Sequence, residues 1–200
     1  MSTPVIQFWF EFASTYSYPA AMRIEAAAKA RGVVVEWRPF LLGPVFASQG
    51  WQDSPFNIYP TKGKYMVRDL ERTCAALDLP FAMPTPFPQN GLLCARIAAA
   101  LEGPLRARFA QAVYQLEFGE GRTISDPLTA AEALRRAGLD TAMVELAQSD
   151  EVKTALRAAT EEAQTLGIFG APTFVTADKE LFWGNDRLEA ALDWAVQGHL

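Results

Sequence analysis

Apolar positions follow a strand pattern at both ends of the chain and a helical pattern between them. Residues 5–12 are apolar and aromatic with few breaks, which is typical of a strand buried on both faces. Residues 33–40 are enriched in β-branched side chains, and the Ala-rich segment 20–30 before them predicts a helix that Arg31-Gly32 ends. Strand, helix and strand with short connections predict a βαβ unit with parallel strands.

The middle of the chain is predicted to be helical. Residues 41–60 are rich in glycine, proline and aromatic residues and are expected to form a long ordered loop. Helical spacing then covers residues 62–77, 90–101 and 104–118, with four prolines between residues 80 and 88 as a connector. Asp126, Asp140 and Ser149 are expected to cap later helices. Residues 43–167 therefore contain no predicted strand.

The last thirty residues return to a β pattern. Pro172 has no N–H, so it can open a strand but cannot lie inside one. Residues 172–176 and 180–183 are predicted strands, and their three-residue connection indicates an antiparallel hairpin. Asp186 and Glu189 fit a capping box at the start of a final helix.

Composition excludes several classes of protein. A length of 200 residues suits one compact domain or one domain with a large insertion. The net charge of −5 argues against nucleic acid as a partner. Because no apolar run approaches ~20 residues, no transmembrane helix is expected, and the N-terminus shows no signal-peptide pattern. Cys74 and Cys94 form no CxxC pair and no zinc-type spacing, which predicts buried, reduced thiols, no metal site and a cytoplasmic location.

Ser14 is the first candidate for chemistry. It follows the first strand and is a good N-cap for the helix after it, although Pro19 requires a distorted first turn or a later start. A hydroxyl at a helix N-terminus lies where anions are favoured. The sole histidine, His199, is next to the C-terminus, so a Ser-His-acid triad has no obvious base and hydrolase chemistry is not expected.

Three stretches resemble one family in chain order. They are Phe10-Glu11-Phe12 with Ser14-Thr15-Tyr16-Ser17-Tyr18, residues 56–70, and Gly170-Ala171-Pro172-Thr173-Phe174 with residues 182–188. The chain resembles the 2-hydroxychromene-2-carboxylate isomerases and the kappa-class glutathione transferases, which belong to a wider thiol-oxidoreductase family. The resemblance implies an α/β, thioredoxin-like fold with a large all-helical insertion. It implies that residues 1–42 and 168–200 form the thioredoxin-like domain and residues 43–167 the helical insertion domain.

The resemblance also implies a glutathione site. Ser14 and Ser17 stand where the oxidoreductases have cysteines, and serine cannot exchange disulfides. Glutathione would then bring the thiolate, and Ser14 would donate a hydrogen bond to its sulfur. The implied glutathione-binding residues are Asn57 and Lys62 for carboxylates, Ala171 and a cis Pro172 for the cysteinyl backbone, and Asn185 and Asp186 for the γ-glutamyl group.

The resemblance implies a glutathione-dependent isomerase that acts on a small aromatic carboxylate, and a homodimer. The family reaction interconverts 2-hydroxychromene-2-carboxylate and trans-o-hydroxybenzylidenepyruvate in naphthalene breakdown. A kappa-type glutathione transferase and a non-catalytic thioredoxin-fold binding module remain alternatives. Each site residue also has a structural interpretation: Ser14 and Asp186 as helix caps, Lys62 as a solvated lysine, Asn57 as a turn former and Pro172 as a strand opener. Thr15 and Pro19 depart from the proline and leucine that the isomerases often have.

Overall fold

The strands form a single mixed sheet. The computed structural model describes residues 3–51 and 55–198, with only the backbone of Pro55 and Asn57. The strands are β1 (Val5–Phe10), β2 (Val34–Pro39), β3 (Thr173–Thr176) and β4 (Leu181–Trp183), in the spatial order β2-β1-β3-β4. β1 runs parallel to β2 and antiparallel to β3, and β3 runs antiparallel to β4. Both the predicted βαβ unit and the predicted C-terminal hairpin are confirmed.

Most of the helices lie between β2 and β3 in the chain, one joins β1 to β2, and one follows β4. They are α1 (Ser17–Ala30), α2 (Leu42–Ser48), α3 (Pro55–Ile58), α4 (Pro60–Ala76), α5 (Leu92–Ala100), α6 (Gly103–Tyr114), α7 (Pro127–Arg136), α8 (Met143–Leu146), α9 (Asp150–Thr165) and α10 (Leu188–Gln197). A π-helix, Gln115–Gly119, continues α6, and a 3-10 turn, Asn185–Arg187, precedes α10. Where residues 43–167 are described, they contain no strand. The exact domain boundaries, 1–42 with 168–200 and 43–167, stay a prediction.

The prediction of a loop over residues 41–60 was wrong, because this segment contains α2 and α3. Pro44 lies in the first turn of α2, where the missing N–H of proline is tolerated. Val45 is buried in a small cluster with Trp9 and Phe40, on a different side of β1 from the main core. Tertiary packing therefore stabilises a helix that its Gly-Pro sequence does not favour locally.

Three capping predictions were wrong and two were confirmed. α1 begins at Ser17, not directly after Ser14, and α10 begins at Leu188 without a side-chain cap from Asp186. Asp140 does not cap α8, which follows Ala142, but accepts a hydrogen bond from the Ala142 N–H at 2.9 Å in the turn before that helix. Asp126 accepts a hydrogen bond from the Leu128 N–H at 2.9 Å, and Ser149 accepts one from the Val152 N–H at 3.4 Å. At Ser14 and at the Asp186–Glu189 segment, other contacts in the folded protein replace the cap, as described below.

One aromatic core joins the sheet to the helical insertion. Phe10 and Phe12 are fully buried at and just beyond the end of β1. The Phe12 ring lies 5.3 Å from the Tyr114 ring and 6.3 Å from the Phe109 ring, both on α6. Phe10 packs on Phe12 at 5.4 Å. The insertion therefore packs directly against the end of the strand that leads into the Ser14 turn.

Candidate active site

Ser14 and the loop before β3 meet across the sheet. Antiparallel pairing of β1 with β3, with Trp9 opposite Thr173, brings the segment before β3 next to the end of β1. The half-buried Ser14 hydroxyl donates a hydrogen bond of 2.8 Å to the Ala171 carbonyl oxygen. The Ala171–Pro172 peptide bond is cis, as predicted. The fold thus joins two stretches 157 residues apart into one site.

The position of Ser14 relative to α1 differs from that of an N-cap. The Ser14 N–H donates to the Glu11 carbonyl, and the Ser14 carbonyl accepts from the Ser17 N–H, each at 3.1 Å. Ser14 therefore lies in a turn just before the helix, which leaves its hydroxyl for the cis-proline loop. Pro19 falls in the first turn of α1, where an intrahelical N–H bond is not needed.

Two side chains after Ser14 fasten the turn to α4, and no residue pattern in the sequence indicated these contacts. The buried Thr15 hydroxyl donates to the Met66 sulfur at 3.1 Å. The Tyr16 hydroxyl donates to the Asp69 carboxylate at 2.9 Å. Burial, the hydrogen bond to Asp69 and the nearby charges of Asp69 and Asp186 raise the pKa of the Tyr16 phenol. Tyr16 consequently remains a protonated donor at neutral pH.

Lys62 lies on the face of α4 that meets the Ser14 turn. Positions 62, 66 and 69 are four and seven residues apart, so they share one helix face. The Lys62 ammonium is exposed and lies 4.8 Å from the centre of the Tyr59 ring. Asn57 is in α3, but its side chain lies outside the described part of the structure.

The corner between α3 and α4 requires a glycine. A Cβ atom at Gly63 would lie 2.7 Å from the Phe56 carbonyl oxygen, which is closer than real contacts allow. The absence of a side chain thus lets α3, which contains Asn57, pack tightly against the start of α4, which contains Lys62.

The 3-10 turn before α10 presents Asp186 and holds Asn185. Arg23 of α1 donates to the Asn185 side-chain oxygen at 3.2 Å and also to the Asn185 carbonyl. The same guanidinium pairs with Glu189, which explains why the predicted capping box does not form. Of the Asn185 amide, only the NH2 group is left to face a ligand.

Asp186 is open to a ligand. Its side chain is 73% exposed and lies 3.7 Å from the Arg187 guanidinium. Gly184, with φ of 112°, leaves room for it, since a Cβ atom there would lie 2.6 Å from an Asp186 carboxylate oxygen. Asp186 also acts electrostatically on Tyr16, which places it near the Ser14 turn.

Neither thiol of the chain is suited to chemistry at this site. Cys74 of α4 and Cys94 of α5 are free and buried, as predicted. Burial raises the pKa of the Cys74 thiol to about 11 and that of Cys94 further. Such thiols are almost entirely protonated at neutral pH and are weak nucleophiles. A reaction that needs a thiolate here would require a thiol from outside the chain.

The described residues contain neither a cluster of metal ligands nor a helix suited to a membrane. In the part of the chain that the structure describes, no group of three or more His, Cys, Asp and Glu residues is arranged to hold a metal ion. None of the helices over residues 3–51 and 55–198 has the length and apolar character that a membrane span requires. His199 lies outside the described residues.

A comparison with protein families identifies the fold. The family model of the DSBA-like thioredoxin domain matches residues 5–194. The chain belongs to this family. Membership confirms the predicted thioredoxin-like fold with a helical insertion, and with it the resemblance drawn from the sequence.

The chain is similar to proteins of two kinds, named as isomerases and as glutathione transferases. A 2-hydroxychromene-2-carboxylate isomerase of Sphingobium xenophagum is 32% identical over 189 residues, which cover 94% of this chain and 95% of that protein. Glutathione S-transferase kappa 1 of Homo sapiens is 24% identical over 92% of this chain and 87% of its own. Among solved structures, that of a 2-hydroxychromene-2-carboxylate isomerase has a TM-score of 0.83 at 24% identity and covers 94% of both chains. The solved structure shows a shared fold, and the first relative supports a family of enzymes.

Proposed function

We propose that this DSBA-like protein is a glutathione-dependent isomerase that interconverts 2-hydroxychromene-2-carboxylate and trans-o-hydroxybenzylidenepyruvate. One observation carries the proposal. The Ser14 hydroxyl is held against the cis-proline loop at the thiol position of this fold, while both cysteines are buried. The site is therefore built to receive a sulfur that the chain does not supply. The isomerase relative at 32% identity supports the choice of reaction.

The reaction proceeds by reversible thiolate addition. In the open form of the substrate, the hemiketal C–O bond of the chromene has given a phenol and a ketone. Glutathione held beside Ser14 would supply a thiolate that adds reversibly to the carbon conjugated with this ketone. The former double bond could then rotate as a single bond before loss of the thiolate restores it. Glutathione is returned unchanged, so this is covalent catalysis with the nucleophile on the cofactor.

Ser14 and the start of α1 stabilise the sulfur. When the thiolate is bound, the Ser14 hydroxyl turns from the Ala171 carbonyl and donates to the sulfur. The dipole of α1 also favours a negative charge near its N-terminus. Together these effects raise the thiolate fraction of bound glutathione at neutral pH.

The remaining groups of glutathione are bound by complementary charges. Lys62 binds a carboxylate, assisted by Asn57 as a neutral donor, and Asp186 binds the γ-glutamyl ammonium beside Asn185. The backbone of Ala171 pairs with the cysteinyl backbone in the manner of an added strand next to Pro172. The small aromatic carboxylate lies between the sheet and the insertion. A homodimer and a cytoplasmic location complete the proposal.

Lys62→Ala and Asp186→Ala are each expected to weaken glutathione binding by about 1–3 kcal/mol, or roughly 5- to 150-fold, the scale of a lost charged hydrogen bond. Turnover at saturating glutathione should change less. Calorimetric titration with glutathione measures the affinity directly. Lys64→Ala is the matched control, since Lys64 is exposed on the same helix two residues away. An equal loss of glutathione affinity in Lys64→Ala would show that Lys62 acts only through the overall positive charge of this region and not by direct contact.

An assay with and without glutathione tests the function itself. A hydroxychromene carboxylate should isomerise only when glutathione is present, and the amount of free glutathione should stay constant. Net loss of glutathione with a conjugate detected by mass spectrometry would instead identify a kappa-type transferase. A protein that gives no binding heat with glutathione would be a non-catalytic binding module.

A further inference from the structure

Two glutamates are buried where the sheet meets the helical insertion. Glu11 follows β1 and is 7% exposed, and Glu117 lies in the π-helix after α6 and is fully buried. Glu11 Oε2 and both carboxyl oxygens of Glu117 have no hydrogen-bond partner among the described residues. Buried polar atoms of this kind are rare in native proteins and call for a physical explanation.

The backbone of Glu11 is bonded to the segment that positions Ser14. The Glu11 carbonyl accepts hydrogen bonds from the Ser14 N–H at 3.1 Å and from the Tyr114 hydroxyl at 2.9 Å. Gly91, just before α5, leaves space for the Glu11 side chain, since a Cβ atom there would lie 3.5 Å from Glu11 Oε1. Glu11 is thus held between the Ser14 turn and two helices of the insertion.

Among the described residues, the titratable groups coupled electrostatically to the pair are acids. The glutamates act on Tyr114 of α6 and on Cys94 of α5, and Glu11 acts on Glu117. Neither glutamate forms an ion pair within the described residues. An ionised carboxylate without a partner in such a place is strongly unfavourable, so the neutral acid is preferred.

The local electrostatics agree with this geometry. Burial raises the pKa of the Glu11 carboxyl to about 8, although an N–H of Ala13 favours its charged form. Burial and the neighbouring Glu11 raise the pKa of Glu117 well above its ordinary value. The Tyr114 phenol is raised in pKa as well, mainly by burial, so it remains the donor to the Glu11 carbonyl.

We propose that Glu11 and Glu117 form a proton-binding pair, neutral in the folded protein at pH 7, that holds the Ser14 turn against the helical insertion. As long as both acids carry their protons, the joint contains no net charge and the turn stays docked. When a proton is lost, the buried negative charge favours water entry and separation of the turn from α5 and α6. The pair is a positioning device, and the proposal stands whether or not the turn serves a glutathione reaction.

The pair makes stability fall as pH rises. The ordinary carboxyl value is 4.5 and the folded value of Glu11 is about 8, so between these the folded state binds more protons than the unfolded state. The folding equilibrium constant should therefore fall up to about tenfold per pH unit for each such group. Glu120, Glu132 and Asp178 have lowered pKa values and stabilise the fold as pH rises, but their effect is complete above about 4.5. The loss of stability through the buried pair and the gain through these three carboxylates therefore occur in different pH ranges.

Urea unfolding from pH 5 to 9 tests the pair in the wild type and in Glu117→Gln. The wild-type folding constant should fall with rising pH. In the variant, the folding constant should depend on pH less steeply, by the contribution of about one bound proton, because glutamine stays neutral. The NH2 group of the glutamine can donate to Glu11. Glu36→Gln, on the exposed face of β2, is the control and should keep the wild-type slope. A wild-type folding constant independent of pH over this range would overturn the proposal.

Two spectroscopic measurements keep the test valid even if Glu117→Gln does not fold. Infrared spectra of the wild type at pH 7 should show the carbonyl stretch of a protonated carboxyl group, and its absence would overturn the proposal. Amide exchange of Ser14 should accelerate above pH 8 beyond the rise that intrinsic base catalysis alone produces. Unaccelerated exchange would contradict the positioning role.

Discussion

Ser14→Ala is expected to lower isomerase turnover by ~10²-fold, the scale for loss of one donor to a charge that develops during the reaction. The apparent affinity for glutathione should change less, because the hydroxyl acts on the sulfur and not on the carboxylates or the ammonium. Steady-state kinetics at saturating glutathione, with a hydroxychromene carboxylate as substrate, measure the effect. Fold should be retained, since Ser14 is half-buried and lies outside α1.

Ser48→Ala is the matched control for this variant. The Ser48 hydroxyl also donates to a backbone carbonyl at 2.8 Å, that of Val45, but at the end of α2. Turnover of Ser48→Ala should equal that of the wild type. If Ser14→Ala keeps full turnover, the dipole of α1 stabilises the thiolate without the serine hydroxyl. Activity without glutathione would contradict the proposed function as a whole.

Phe12→Ala is expected to lower the free energy of unfolding by about 3–5 kcal/mol, the usual cost of truncating a buried phenylalanine. Phe12 is fully buried and packs on Phe10, Phe109 and Tyr114, so its ring joins the strand end to the insertion. Because the sheet and the insertion share this core, we expect one cooperative unfolding transition in the wild type and in Phe12→Ala. Urea unfolding followed by fluorescence and by circular dichroism measures the loss and the number of transitions.

Phe169→Ala serves as the control for Phe12→Ala. Phe169 is 49% exposed, and its ring lies tilted against that of the exposed Trp183, with ring centres 5.0 Å apart. Its truncation should cost less than about 1.5 kcal/mol, the upper scale of one aromatic pair. Similar losses in the two variants, or two separate transitions, would show that the sheet and the insertion unfold independently.

The structure changes the interpretation of the residues around Ser14. The turn is fastened on three sides: to the cis-proline loop by the Ser14 hydroxyl, to α4 by the side chains of Thr15 and Tyr16, and to α6 through the Glu11 carbonyl. The Thr15 hydroxyl donates to the Met66 sulfur. It therefore adds a contact between the turn and the helix that presents Lys62.

Local pattern determined most of the secondary structure. The β-branched and aromatic runs predicted all four strands to within two residues, because residues of this kind prefer a buried, extended backbone. Helical spacing predicted α4, α5 and α6, and the Asp126 and Ser149 caps formed as their residue types favour. The order of elements, with Pro172 opening the third strand, and three matching residue stretches in chain order together predicted the family.

Only the tertiary structure decided which local preferences are used. Ser14 and the Asp186–Glu189 segment have good capping residues, but the folded chain offers the Ala171 carbonyl to the first and Arg23 to the second. A cap contributes about 1 kcal/mol, so a bond formed by closing the sheet can replace it. The helix α2 and the buried pair Glu11 and Glu117 likewise depend on neighbours far along the chain. Sequence pattern reports the preferences of residues for their immediate neighbours, and contacts between residues 103 or 157 positions apart exist only once the sheet and the insertion have packed together.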